Sequence, residues 1–157
     1  ASLIHFWPGN AIRIRTEEKV PTQEWLQVVV SYDGSSRASG LHIYLNGQLA
    51  DTGIVRDNLY KNITGGGDVH LTVGQRFRDR GFKGGLVDDF KVFNRELSKL
   101  EIQHLYGLRN IPAETDLLEY YLVSHSQKYQ QALAGLTCES CQRHIQLGIL
   151  LLRYHLR

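Results

Sequence analysis

The sequence of 157 residues contains no methionine at all, so it has no initiator residue and reads as an excerpt or a processed piece of something longer. A secretory leader is also lacking, because the opening ASLIHFWPGN has neither a basic lead nor a long apolar core. No apolar run approaches the roughly 18 residues that a membrane-spanning helix requires. The longest one near the C-terminus, Leu147 to Leu152, is interrupted by Gly148. Charge of one sign is scarce too: 18 Lys and Arg against 16 Asp and Glu leave a formal net charge of +2, too weak a field to attract nucleic acid. The run Gly65-Gly66-Gly67 is not followed by the lysine and serine of a phosphate-binding loop.

What is present is the composition of one ordinary globular domain, 42% hydrophobic and 22% charged. Strand signals dominate as far as Leu105. Ala11 to Arg15 alternates, with Ile12 and Ile14 on one face and Arg13 and Arg15 on the other. Trp25 to Tyr32 is apolar on both faces, Leu26, Val28, Val30 and Tyr32 opposite Trp25 and Val29, which predicts a strand in mid-sheet between two covering layers. Gly34 supplies the turn that follows, and Asn46-Gly47 closes a hairpin after Leu41, Ile43 and Leu45. Ile54 to Gly67 reads as a long loop, Val69 to Val73 and Phe82 to Phe93 as strands. Ser98, with Glu101 three residues on, forms a capping box that starts a short helix turning Leu100, Ile102 and Leu105 inward. Beyond Pro112 the spacing of Leu117, Leu118, Tyr121, Leu122, Tyr129, Leu133 and Leu136 predicts a helix, and Ile145 to Leu156 a second one. The division expected is a sandwich over residues 1–112 and a helical extension, or linker to a further domain, over 113–157.

Few residues suggest chemistry. Asp88 shares a face with Leu86, Phe90 and Val92, so it is expected to point inward and tie down loop amides, while Asp89 faces solvent. Neighbours on a strand cannot act as a close acid and base pair, which argues against glycoside hydrolysis. Trp25 is expected in the core. Trp7, beside Pro8 and Gly9, is the candidate for an exposed platform on which a sugar ring could stack. His42 and Tyr44 lie opposite Leu41, Ile43 and Leu45, and belong either to a concave binding surface or to a second core layer. Cys138 and Cys141 are spaced C-x-x-C, but Gln142 follows where covalent haem attachment needs a histidine, so haem is not expected on this chain. Two incidental thiols or a local disulfide is the leading reading. Zinc held by Cys138, Cys141, His144 and His155 is a weaker one.

The block WLQVVVSYDGSSRASGLHIYLNG, then LTVGQRF, then FKGGLVDDFKVFNRELSKLEI resembles the laminin-G-like, concanavalin-A-like jelly-roll family over roughly Ile4 to Leu105. Its finer wording, HFWPGNAI, VRDNLYKNI and FKGGLVDDFKVFNREL, looks like the version found within large planctomycete cytochrome-c-like proteins. The resemblance implies a mainly β protein, an antiparallel concanavalin-A-like jelly-roll sandwich incomplete at its N-terminus, with a C-terminal helical appendage. It further implies an extracytoplasmic (periplasmic or secreted) location and a noncatalytic recognition or spacer role toward a glycan or protein ligand. Self-association through an unpaired sheet edge is implied as well. Some members hold calcium at the sandwich rim, which makes Asp33 and Asp88 the candidate metal ligands, although the acids here are scattered and no loop alternates them. Trp25, Asp88, Gly34 and Gly47 are assigned structural roles, and no cofactor is expected, with calcium the one the resemblance allows. The rival reading is an accessory or degenerate glycoside-hydrolase-type fragment, since the same jelly roll hosts both.

Overall fold

A computed structural model describes residues 1–6, 8–61, 63, 84–109, 111–136 and 148–155. Its strands are β1 (Ser2–Phe6), β2 (Asn10–Thr16), β3 (Trp25–Tyr32), β4 (Leu41–Leu45), β5 (Gln48–Leu49), β6 (Thr52–Asn58), β7 (Leu86–Phe93) and β8 (Gly148–His155). A 3-10 turn at Ala38–Gly40 precedes β4, and the helices are α1 (Lys99–Tyr106), α2 (Glu114–His125) and α3 (Gln127–Leu136). One sheet runs β1-β2-β6 and the other β5-β4-β3-β8-β7, all pairs antiparallel.

The core between the sheets comes from the alternation in the sequence. Ile12 and Ile14 of β2 face Tyr32, Leu41 and Ile43 of the second sheet, with Ala38 and Leu59 at the margins and Val28, Val30 and Leu45 packed against them. Arg13 and Arg15 are exposed on the other side of β2. The opposite face of the five-stranded sheet is also covered, as its apolar second row requires. Val29 and Tyr44 pack against Leu97 and Ile102, with Phe93 and Leu105 beside them, so α1 lies on that face. β3 therefore sits between β4 and β8 and under two layers.

Turn chemistry holds the register. Asn46 (φ 51) and Gly47 (φ 77) both take the left-handed backbone that a two-residue hairpin needs. Asn46 Oδ1 accepts the Gln27 N–H at 3.0 Å, locking the hairpin onto β3. A side chain at Gly47 would come within 3.2 Å of Leu108 Cδ1 and Tyr106 Cβ, so the hairpin tip lies against the end of α1. Asp57 Oδ1 accepts the Ala38 N–H at 2.9 Å, joining β6 to the 3-10 turn. In α1 both halves of the capping box form: Ser98 Oγ accepts from Glu101 N, and Glu101 accepts from Ser98 N at 2.9 Å.

Several expectations are corrected. Thr52–Asn58 is a strand and not the start of a loop; its backbone pairs with β2 from Thr16 to Ala11, which local sequence does not announce. The stretch expected as a second helix is β8, inserted between β3 and β7. A continuous Leu and Ile run suits either state, and the open edges of β3 and β7 select the strand. The single helix expected after Pro112 is broken at Ser126, whose Oγ accepts the Tyr129 N–H at 3.4 Å and caps α3. The strand expected at Val69–Val73 lies outside the described residues.

Candidate functional site

The residues singled out from sequence do not converge. Trp7 lies outside the described residues, as do Cys138, Cys141 and His144. Trp25, the first residue of β3, is 49% exposed, against the expected core position. Tyr44 is buried at 8% exposure beneath α1, in the second core layer, and His42 beside it is half-buried. Asp88 is exposed and not inward-facing. The register slips between Asp88 and Lys91, and Asp89 takes φ 55, so the alternation that assigned Asp88 a face is broken there. Asp89 pairs with Lys91 at 2.8 Å. Gly34 takes φ 84 at the turn leaving β3. Asp33 is exposed, its Oδ1 accepting the Ser35 N–H at 2.8 Å, and its carboxylate covers Gly40 so closely that any side chain there would collide with it. Among the described residues no three His, Cys, Asp or Glu side chains are grouped to hold a metal ion.

Two other features emerge. The first is an acidic cluster over β4. Burial pushes the Glu96 carboxyl up to about 7, with Asp33 and Glu119 adding repulsion. Burial likewise raises the Tyr44 hydroxyl to about 12, with help from Glu119 and Glu96. Gln27 and Ser31 share this face with Val29, and their side-chain polar atoms are buried without a partner among the described residues.

The second is a cleft of about 530 Å³ between the end of β7, α1 and α2. Phe93, Leu97, Leu100, Leu105 and Leu108 form its apolar lining, and Arg95, Glu101, Gln103, His104, Arg109 and Tyr120 its polar one. Arg95 is tied to Glu101 through both guanidinium nitrogens, at 3.0 and 2.6 Å. Burial acts to raise the Glu101 carboxyl, but hydrogen bonds from Arg95 and Ser98 outweigh it and hold the group below the usual range. That carboxylate is already neutralised. Arg109 makes no ion pair among the described residues. Lys99 ties α1 to α2 through Asp116 at 3.2 Å.

Sequence reasoning missed this cleft because its walls, although all within residues 93–120, meet only through the packing of α1 against α2. The usable signal was the pairing of a capped helix with a second helix whose apolar residues outnumber what one stripe can bury. Leu117, Leu118 and Tyr121 of α2 are 47%, 57% and 57% exposed.

The described residues thus form a two-sheet antiparallel sandwich with a helix on the outer face of one sheet and a mixed apolar and polar cleft beside it. The chain belongs to the concanavalin A-like lectin/glucanases superfamily, whose family profile matches residues 3–103. Membership supports a carbohydrate- or protein-binding module. No curated protein and no solved structure matches the chain. Among the described residues no helix is long and apolar enough to cross a membrane.

Proposed function

We propose that the chain is a noncatalytic recognition or spacer module of a larger exported bacterial protein of the cytochrome-c-like kind, and that it holds a glycan or protein ligand in the cleft between α1 and α2. The observation that carries the reading is the cleft itself. Its volume of about 530 Å³ falls in the usual range for ligand sites, and its apolar walls with a few placed polar groups are what such sites use. The exported location rests on the family resemblance.

The hydrolase alternative draws on Glu96, a carboxyl held protonated near neutral pH beside the second carboxyl of Glu119, which is the pattern of an acid and its partner. Neither residue lines the cleft, so the pair is not placed to reach a sugar bound there. The test is binding of the purified chain to a glycan array and to a displayed peptide library, alongside hydrolysis assays on β-glucans. The reading expects a bound ligand that is released by Arg109→Glu and no turnover. Turnover abolished by Glu96→Gln would replace it with the hydrolase.

A further inference from the structure

We propose that the outer face of α2 is a self-docking surface, against which a second copy of this chain lays its own α2 antiparallel. This goes beyond the recognition reading above and does not depend on it.

The apolar half of the argument is an uncovered stripe. α2 buries none of its own residues, although the ion pair of Lys99 with Asp116 holds it to α1. Leu117, Leu118 and Tyr121 recur at the three- and four-residue spacing that stacks side chains on one side of a helix, and each is about half exposed. Ile111, just before the helix, is almost wholly exposed. Glu114 stands three and four residues before the two leucines and His125 four after Tyr121, so an exposed acid and an exposed imidazole bracket the same stripe. The His125 ring meets Tyr120 edge-on at 5.4 Å and Tyr121 at 6.1 Å between centroids, which sets its place at the end of the stripe. A bare apolar stripe on a helix already held in position is a seam along which another helix packs.

The occupant is chosen by charge. From Glu114 to Glu119 the helix carries three acids and no cation, whereas from Tyr120 to Leu136 there are His125 and Lys128 and no acid. Asp116 is answered by Lys99, and Glu119 bears on Glu96 and Tyr44. Glu114 makes no ion pair among the described residues. Three turns of helix separate it from His125, about 16 Å, too far for the two to meet within one chain. An antiparallel copy brings them together. Centred between Glu119 and Tyr120, the pairing sets Leu118 against the partner's Tyr121, Leu117 against the partner's Leu122, and Glu114 against the partner's His125. Each contact occurs twice about the two-fold axis, and each acidic half of α2 lies beside a half that bears only cations. One 12-residue helix from each copy makes a small interface, below the about 1,200 Å² of stable complexes, so the dimer is weak and reversible.

The test is sedimentation velocity of the full chain over a concentration series. A reversible monomer–dimer equilibrium is expected, and Leu118→Glu should abolish it. Glu114→Lys and His125→Glu should each weaken it by about threefold or more, since each sets like charges face to face at two places. The two changes combined in one chain reverse the pair and should restore most of the parent affinity. All three side chains are exposed, so circular dichroism should show every variant folded. A monomer at every concentration overturns the proposal. So does a dimer indifferent to Leu118→Glu, which must be joined elsewhere, or a double variant that associates no better than either single one. Ligand binding in the cleft is read separately and stands or falls without regard to these outcomes.

Discussion

Glu96→Gln isolates the electrostatic strain in the α1 face of the sheet. In the folded chain the Glu96 carboxyl titrates at about 7, against an ordinary value of 4.5, mainly because it is buried and then because Asp33 and Glu119 lie near. Between those two values the folded state keeps a proton that the unfolded chain has lost. Stability therefore falls as pH rises from about 4.5 to about 7, and the whole penalty is present above 7. At 1.36 kcal/mol for each unit the ceiling is about 3 kcal/mol. Glu96 remains partly in contact with water, which screens the neighbouring charges and reduces the expected figure to about 1–2 kcal/mol. Glutamine keeps the shape and removes the charge. The variant should match the parent at pH 4 and exceed it at pH 8, by roughly 2–8 °C in melting temperature for a chain of this size. Urea or thermal unfolding at half-unit steps from pH 4 to pH 8 reads this directly. Parallel curves for the two proteins, or a uniform loss in the variant at every pH, would refute the reasoning, the latter by showing that the carboxylate supports a contact the fold needs.

Four further substitutions probe the framework. Ser98→Ala removes the acceptor for Glu101 N in the capping box and should cost about 1 kcal/mol by urea melts, with the helical signal of α1 frayed. Gly47→Ala forces a side chain onto a backbone at φ 77 and against Leu108 and Tyr106, so a loss of about 1–3 kcal/mol is expected, and a neutral result would mean that the hairpin tip does not touch α1. Ile12→Ala opens a void where exposure is 0% and should cost about 2–5 kcal/mol in the same assay, whereas Arg13→Ala on the opposite face of β2 should cost far less.

What could be read in the sequence was whatever local chemistry decides. Ile12 and Ile14 alternate with arginines, Asn46-Gly47 permits one hairpin geometry, and Ser98 with Glu101 marks a helix start; all three appear at those positions. Elements decided by distant partners were not legible. β6 carries Arg56, Asp57 and Asn58 beside exposed Ile54 and Val55, so its pattern alone resembles a loop, and it becomes a strand through pairing with β2. β8 has no alternation to distinguish it from a helix. The register slip at Asp88 moved an acid off the face that strict alternation assigned, and Trp25, at the strand end, keeps about half of a large apolar side chain in water. The cleft forms where α1 packs against α2, and pairings between helices such as Lys99 with Asp116 have no signature in local periodicity.

The place of β8 has a consequence for how the molecule is made. β3 is complete when the ribosome reaches Tyr32, but the strand that lies along one of its edges ends at His155. At about 5–20 residues per second, that edge stays open for roughly 6–25 s of synthesis, with the apolar Val28 to Val30 segment available to any passing strand. Closure of the five-stranded sheet thus has to wait for residues 148–155. A chain cut short before Gly148 would keep most strands of the sandwich yet lack the one joining β3 to β7.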